Sequence, residues 1–333
     1  MTTFDDVALV HIVRGKTLDC VHRGRVVVVD AQGKIVLSRG DVYSRAFMRS
    51  SAKPFQATMV IESGAQRRYH FESDELAIMA GSHAAEPHHL AVLERIMAKI
   101  AIPSEALLCG VDLPLDEQYR KTYLAQGGQA HALRHNCSGK HLGMLSACAV
   151  QGWDMRHYNH ANHPLQQNIM QALSETSDLP ITQMEYATDG CTVPTFALPL
   201  LNSALAFARL GVAIRDKPFS ALGIVGHAMR AFPEVFSGTR QLDNILIRAS
   251  GRHLLSKGGA EGFWGVAMPD QGWGLALKMS DGNPRAIALV LTSVLHQLGV
   301  LSMEQCKLVE EQFSAVVKAN DGTAAGYMQF VNA

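Results

Sequence analysis

The 333-residue chain lacks an excess of charge of either sign, because 30 basic and 30 acidic side chains give a formal net charge of zero. Proteins that bind nucleic acids usually carry a basic surface patch. No run of Lys and Arg marks such a patch in this sequence. We therefore expect no nucleic-acid partner.

The chain also lacks a hydrophobic run of the roughly 18 residues that a membrane span requires. Its longest apolar stretch, residues 286–301, is interrupted by His296 and Gln297. The first six residues contain two acids and no basic residue, unlike a secretory signal. These features predict a cytoplasmic protein that contacts no membrane.

The six cysteines show neither the density of a disulfide framework nor a Cys-x-x-Cys spacing. A standard zinc signature is therefore absent. In a cytosolic protein, scattered cysteines are more often buried, catalytic or metal-bound than paired in disulfides.

Strand and helix patterns divide the chain into three parts. Both ends are rich in strand patterns, whereas residues from roughly 50 to 250 show helical spacing, and no repeat or linker interrupts the chain. We predict one α/β domain, residues 1–333, in which a single sheet takes strands from both chain ends and a helical region is inserted between them. The predicted strands are 7–13, 25–30, 34–38, 262–269 and 273–279, and a buried helix is predicted over 285–298.

The sharpest chemical pattern is Ser50-x-x-Lys53, followed by Pro54. Residues at i and i+3 are neighbours on one face of a helix, and a serine nucleophile needs an adjacent base such as a lysine of lowered pKa. Free N–H groups at a helix N-terminus could stabilise an oxyanion. Taken alone, the pattern is also common on ordinary surface helices.

A second basic candidate, Lys257, precedes two glycines and a predicted strand. Ser-x-x-Lys followed much later by Lys-small-Gly is the arrangement of serine hydrolases of the β-lactamase type. No clear Ser-Asp-Asn element accompanies it.

Two further loops combine glycine with polar side chains: residues 136–141, which include Cys137, and residues 189–194, which include Cys191. Thiolates select zinc and similar ions, so the two cysteines are either metal ligands or two unrelated buried thiols. A third loop, residues 81–87, contains Ser82 and is either catalytic or a helix cap.

Together these stretches resemble the rhizobial-type L-asparaginases, the asparaginase II family. The resemblance extends over most of the chain and rests on five stretches in the same order: Arg49–Gln56, Ser82-His83 with Glu86-Pro87, Asn136–His141, Asp189–Pro194 and Gly259–Gly262.

The resemblance implies a serine β-lactamase/glutaminase-like fold with an antiparallel sheet, and hydrolysis of L-asparagine to L-aspartate and ammonia. It implies a homodimer as well. Ser50 with Lys53 would form one Ser–Lys pair, and Ser82 with a distant lysine a second. We expect that lysine to be Lys257, with Lys278 as the alternative.

The resemblance further implies a zinc ion held by Cys137, Lys140 and Cys191, with His141 nearby. The residues it places at the substrate are Arg49, His83, Asp189 and Gly190.

Two departures from the family pattern, Ala84-Ala85 and residues 109–114, are expected to reshape the substrate pocket. A glutaminase, another amidase or a β-lactam-reactive hydrolase is therefore the alternative reading. A catalytically silent zinc-binding protein is the alternative from a different functional class.

Overall fold

A computed structural model describes residues 5–332. Within that range the chain forms eleven β-strands: β1 Val7–Arg14, β2 Thr17–Asp30, β3 Ile35–Arg39, β4 Arg45–Phe47, β5 Glu185–Thr188, β6 Pro194–Pro199, β7 Leu255–Gly259, β8 Phe263–Met268, β9 Trp273–Met279, β10 Val316–Lys318 and β11 Ala324–Phe330.

Eight of these strands form one antiparallel sheet in the order β10-β11-β1-β2-β9-β8-β7, with β3 also paired to β2. The two chain ends meet where β2 pairs with β9, for example at Val28 and Leu275. The valines of β2 at positions 26–29 are fully buried, so both faces of the sheet are covered there. The predicted sheet, with strands from both chain ends, is confirmed.

The helical part begins at a 3₁₀ turn, Arg49–Ala52, and continues to residue 249. The α-helices are α1 Lys53–Gln56, α2 Thr58–Glu62, α3 Ala65–Tyr69, α4 Ser73–Met79, α5 Pro87–Ile100, α6 Glu117–Ala125, α7 Ser138–Gln151, α8 Pro164–Ser177, α9 Leu200–Asp216, α10 Ala221–Ala231, α11 Pro233–Phe236, α12 Leu242–Ala249, α13 Ile287–Gln297 and α14 Met303–Glu310. Shorter 3₁₀ turns occupy Ser104–Ala106, Ala132–Arg134, Ile181–Gln183 and Pro284–Ala286.

Helix α9 packs directly on one face of the sheet, and glycines make this contact possible. A Cβ at Gly265 would lie 1.9 Å from the Phe207 ring, and one at Gly274 only 2.1 Å from the Ala204 carbonyl oxygen. Residues directly opposite each other on paired strands share a face, and Lys257 is opposite Gly265. Lys257 is therefore directed toward the helical layer.

The strands β4, β6 and β5 form a separate small sheet inside the helical part. The Met48 amide, just after β4, donates to the Phe196 carbonyl of β6 at 3.0 Å. The small sheet thereby fixes the entry to the Arg49–Ala52 turn.

None of the helices within residues 5–332 combines the length and the apolar character needed to cross a membrane.

Candidate active site

The turn that carries Ser50 is pinned against β7. Ser51 donates a hydrogen bond from Oγ to the Lys257 carbonyl at 2.7 Å, and a Cβ at Gly259 would approach the Met48 carbonyl to 2.4 Å. Ser50 itself is half-buried, and its hydroxyl has no hydrogen bond to any residue in 5–332. The turn thus presents a half-buried hydroxyl group that no described residue engages.

Lys53 follows in α1 and is 1 % exposed. Its Nζ donates to Ser82 Oγ at 2.7 Å and to the Gly81 carbonyl at 2.6 Å. Burial, which disfavours the charged form, lowers the pKa of Lys53. The hydroxyl bonded to Lys53 is therefore that of Ser82, and no hydrogen bond joins Lys53 to Ser50 among the described residues. This contact differs from the pairing expected from the sequence.

Ser82 begins the loop between α4 and α5, and backbone contacts hold it in place. The Ser82 amide donates to the Phe236 carbonyl at 2.8 Å. Gly81 lies so close that a Cβ would come within 2.2 Å of the same oxygen. Close backbone approach therefore explains the glycine and fixes the Ser82 hydroxyl over Lys53.

The substitutions Ala84 and Ala85, which we expected to reshape the pocket, are both fully buried. Ala84 packs against Gly238, where an added Cβ would lie 2.6 Å away. Their direct contribution is therefore to packing beneath the loop.

His83 is also fully buried and has no ring nitrogen left for a substrate. Its Nδ1 accepts from the Ala85 amide at 3.2 Å, so Nε2 carries the proton and donates to Ser138 Oγ at 2.8 Å. Burial lowers the pKa of His83 well below its usual value, so the ring is neutral. In this structure His83 supports the loop from inside, and its expected place at the substrate stays a prediction.

Lys257 lies within β7, a strand that the sequence analysis did not predict, ahead of the strand expected at residues 262–269, and it is 1 % exposed. Its Nζ donates to the Gly258 carbonyl at 2.6 Å and lies 3.6 Å from Asp243 Oδ2. Burial lowers its pKa to about 8, against the opposing charge of Asp243. No hydrogen bond connects it to Ser82 within residues 5–332.

The alternative lysine, Lys278, lies on β9 and donates to the carbonyls of Glu261 and Met279, each at 2.6 Å. After burial, the charges that most affect its pKa are Arg25 and Glu261. The charges acting on Lys257 include Lys53. Of the two lysines, Lys257 is thus the one whose pKa is influenced by Lys53, and it remains the expected distant lysine.

The cysteine loops converge on the other side of Lys53. Cys137 lies at the start of α7, and Lys140 Nζ donates to Cys191 Sγ at 2.9 Å. The neighbouring Cys191 thiol, followed by the charges of Lys53 and Lys140, lowers the pKa of Cys137 well below its usual value despite burial. The same interaction raises the pKa of Cys191. The interaction thus favours deprotonation of Cys137 and disfavours deprotonation of Cys191.

The donors of this cluster are chemically suited to zinc. Within residues 5–332 no three His, Cys, Asp or Glu side chains converge in a metal-binding arrangement, so an ion bound by both thiols would also need the Lys140 nitrogen. His141 lies next to Lys140, and its buried Nε2 has no hydrogen-bond partner. Its Nδ1 is within 2.5 Å of the Tyr158 hydroxyl, which fixes the ring.

Three of the expected substrate residues lie together at the edge of this cluster. Arg49 donates from Nε to Asp189 Oδ1 at 2.7 Å, and the Gly190 amide donates to the same oxygen at 2.8 Å. The two charged side chains are 25 % and 13 % exposed. Although burial opposes it, Lys140, the Gly190 amide and Arg49 hold the pKa of Asp189 below its usual value. This ion pair is accessible to a small charged ligand.

Two contributors were missed by the sequence analysis, namely Asp243 beside Lys257 and Tyr158 beside His141. Neither belongs to a recognisable motif, and each reaches the site only through the packing of distant segments. No local sequence signal could have identified them.

Comparisons with known proteins bear on this arrangement. The family model described as L-asparaginase II matches residues 10–330. No curated protein matches the chain significantly.

Several solved structures are similar at low identity. A β-lactamase, Mb2281c, from Mycobacterium bovis has a TM-score of 0.45 and 12 % identity, over 82 % of this chain and 94 % of that one. A penicillin-binding protein homologue from Pyrococcus abyssi, described as octameric, has a TM-score of 0.42 and 13 % identity, over 88 % and 75 %. Mglu in its glutamate form has a TM-score of 0.38 and 13 % identity, over 84 % and 62 %.

The family match covers nearly the whole chain and includes every loop that converges on Lys53. The chain therefore belongs to the L-asparaginase II family and is an amidohydrolase of that type.

Proposed function

We propose that the protein hydrolyses the side-chain amide of L-asparagine through a serine acyl-enzyme. The observation that carries this proposal is the hydrogen bond from Lys53 to the Ser82 hydroxyl. Lys53 is fully buried and has a lowered pKa. Ser50, whose hydroxyl has no partner among the described residues, precedes Lys53 by three residues, about one helical turn. A lysine that has lost its proton is a base, and a serine next to such a base becomes a nucleophile.

In the proposed reaction, Ser50 Oγ attacks the amide carbon and neutral Lys53 takes the hydroxyl proton. Backbone N–H groups at the start of the helical turn stabilise the oxyanion. Ser82 donates its proton to the leaving nitrogen and regains one from Lys53. The C–N bond breaks, ammonia leaves and a β-aspartyl ester remains on Ser50.

Deacylation uses the same groups in reverse. Water attacks the ester carbon, its proton passes to Lys53, and the Ser50–carbonyl bond breaks as Ser50 is reprotonated. Lys257, whose pKa lies near 8, is proposed as a second donor that can reprotonate Ser82 and then recover its proton from Lys53, so that no net proton is gained or lost over the cycle. General acid–base groups of this kind each contribute roughly 10²–10⁴-fold to the rate.

The partly buried pair of Arg49 and Asp189 is suited to a zwitterionic amino acid. Arg49 would bind the α-carboxylate in a bidentate manner, and Asp189 would bind the α-ammonium. The Gly190 backbone, which has open space beside it, would border the same ligand.

Zinc is proposed for the neighbouring cluster, with Cys137, Lys140 and Cys191 as ligands and His141 as the adjacent donor. When bound, zinc would act as a Lewis acid that attracts a polar group of the substrate. Without metal, the thiol pair keeps Lys140 protonated despite its burial and raises its pKa, so zinc binding would release that proton.

A homodimer is also proposed and is tested by size-exclusion chromatography with light scattering. We expect a mass of twice the 36.2 kDa chain.

The proposed function is tested by following ammonia release from L-asparagine and L-glutamine with wild-type protein, Ser50→Ala and Ser104→Ala. Ser104 is the control, because its hydroxyl contacts only Glu105 within the described residues. We expect release from asparagine that Ser50→Ala abolishes and Ser104→Ala retains. Ammonia release from glutamine alone would contradict the assignment of L-asparagine as the substrate. Near-wild-type turnover by Ser50→Ala would contradict the assignment of Ser50 as the nucleophile.

A further inference from the structure

We propose that Asp243 is the positioning residue that orients the Lys257 side chain and stabilises its charged form. This inference rests on the proposed catalytic role of Lys257. Asp243 belongs to α12 and is 5 % exposed.

The Asp243 carboxylate contacts the residues on both sides of Lys257. Its Oδ1 accepts from Ser256 Oγ at 2.8 Å and from the Gly258 amide at 2.9 Å. Its Oδ2 lies 3.1 Å from that amide and 3.6 Å from Lys257 Nζ. The Asp243 side chain therefore fixes the position of the backbone beside Lys257 and also contacts the ammonium group of this lysine.

The strand around this contact has little freedom to move. Trp264 of β8 donates from Nε1 to Ser256 Oγ at 2.7 Å, and a Cβ at Gly258 would lie 2.5 Å from the Trp264 ring. The indole thus covers Gly258 and supports the serine that Asp243 bonds. These contacts restrain the backbone on both sides of Lys257 and thereby the direction of its side chain.

Asp243 is also the nearby group that favours a charged Lys257 most strongly. The other charged or titratable groups that affect this lysine are Lys53, which repels it, and the Cys137 thiol. An opposite charge within about 4–6 Å raises a lysine pKa by roughly 1–3 units. Asp243 thereby offsets part of the cost of burial and lets Lys257 both accept and release a proton near neutral pH.

The experiment measures the Lys257 pKa directly. Protein labelled with ¹³C at lysine Cε is titrated by NMR, and Lys257→Met identifies the resonance. In Asp243→Asn we expect the pKa to fall by about one unit or more, since the carboxylate charge is lost. In the matched variant Ser256→Ala, which removes a hydrogen bond but keeps the charge, we expect it to stay near the wild-type value.

An unchanged Lys257 pKa in Asp243→Asn, or an equal fall in Ser256→Ala, would overturn the inference. If Asp243→Asn does not fold, Asp243→Ser is the second neutral variant, with the same expected fall.

The pH profile of kcat/KM then separates this inference from the proposed function. We expect the limb governed by Lys257 to move to lower pH by the same amount as the measured pKa. If the pKa falls and the profile does not move, Asp243 still controls Lys257, but Lys257 is not a catalytic group. Because the titration needs no turnover, the inference is tested even if asparagine is not the substrate.

Discussion

Two buried lysines on opposite sides of the same site differ in the direction of their pKa shift. Lys53 is 1 % exposed and Lys140 is 3 % exposed. Burial is the largest influence on both and acts to lower each pKa. The pKa of Lys53 is lowered, whereas that of Lys140 is raised.

The difference lies in their neighbours. Lys53 donates to a neutral hydroxyl and a carbonyl, whereas Lys140 donates to the Cys191 sulfur and is further stabilised by Cys137 and Asp189. Burial alone therefore does not make a lysine a base. The thiols of Cys137 and Cys191 also oppose the effect of burial on the pKa of Lys53, but burial prevails there, whereas Lys140 in addition donates to the Cys191 sulfur and is influenced by Asp189.

The largest expected effect comes from removing the base. Lys53→Met keeps an apolar side chain of similar length, and Lys53→Arg keeps a charge that is not lost in proteins. We expect both to lower kcat by roughly 10²–10⁴-fold, measured as ammonia release from L-asparagine. Recovery of activity in Lys53→Arg would mean that positive charge, not proton acceptance, is the role of Lys53.

The second prediction concerns stability against pH. The pKa of Lys257 is about 8 when folded and 10.5 ordinarily, so between these values the unfolded state binds more protons and the free energy of unfolding rises with pH. Relative to Lys257→Met, the wild type should gain about 3 kcal/mol between pH 7 and 10.5, measured by urea unfolding.

Lys140→Met is the matched control for that measurement. Because the pKa of Lys140 is raised, its stabilising contribution is present below the unfolded pKa and is lost only above that value. We expect no comparable gain over the same range. An equal gain in the free energy of unfolding for both lysines would contradict the lowered pKa of Lys257 and the raised pKa of Lys140.

The third prediction concerns metal affinity on the thiol side. Cys191→Ser removes the sulfur that Lys140 contacts, and we expect zinc affinity to fall by about 100-fold or more, measured by competition with a chelator. Cys20→Ser is the control, since Cys20 is half-exposed and bonded only by Arg285 within the described residues. If Cys191→Ser bound zinc as tightly as the wild type, the assignment of the two thiols as zinc ligands would be wrong.

The smallest effect is expected at Gly190. A Cβ there would meet no atom within 4 Å, so Gly190→Ala should leave the thermal midpoint unchanged. If substrate binds beside it, KM should rise by about tenfold, or 1.4 kcal/mol, with kcat retained. An unchanged KM would place the amino acid elsewhere.

The sequence predicted more of the fold than of the contacts. Strands β2 and β9 were readable from their β-branched and apolar runs, but β10 and β11 were missed, because neither strand has a fully buried side chain and so neither carries a long apolar run. Within the stretch that shows helical spacing, the chain does not continue as one helix after Lys53 but breaks at Ala57, between α1 and α2.

At the site, the sequence identified residues but not their partners. Ser50 and Lys53 are neighbours in the chain, yet the hydrogen bond of Lys53 goes to Ser82, 29 residues away. That choice depends on how the Gly81 loop packs on Phe236. Asp243 and the internal role of His83 likewise follow from packing between segments that no local pattern connects.

The central claim is a serine acyl-enzyme, and trapping it is the most direct test. Wild-type protein is mixed with L-asparagine, quenched in acid during turnover and mapped by peptide mass spectrometry. We expect an aspartyl ester on the peptide that contains Ser50, and none in Ser50→Ala. An ester on Ser82, or turnover of asparagine with no ester on any serine, would contradict the account.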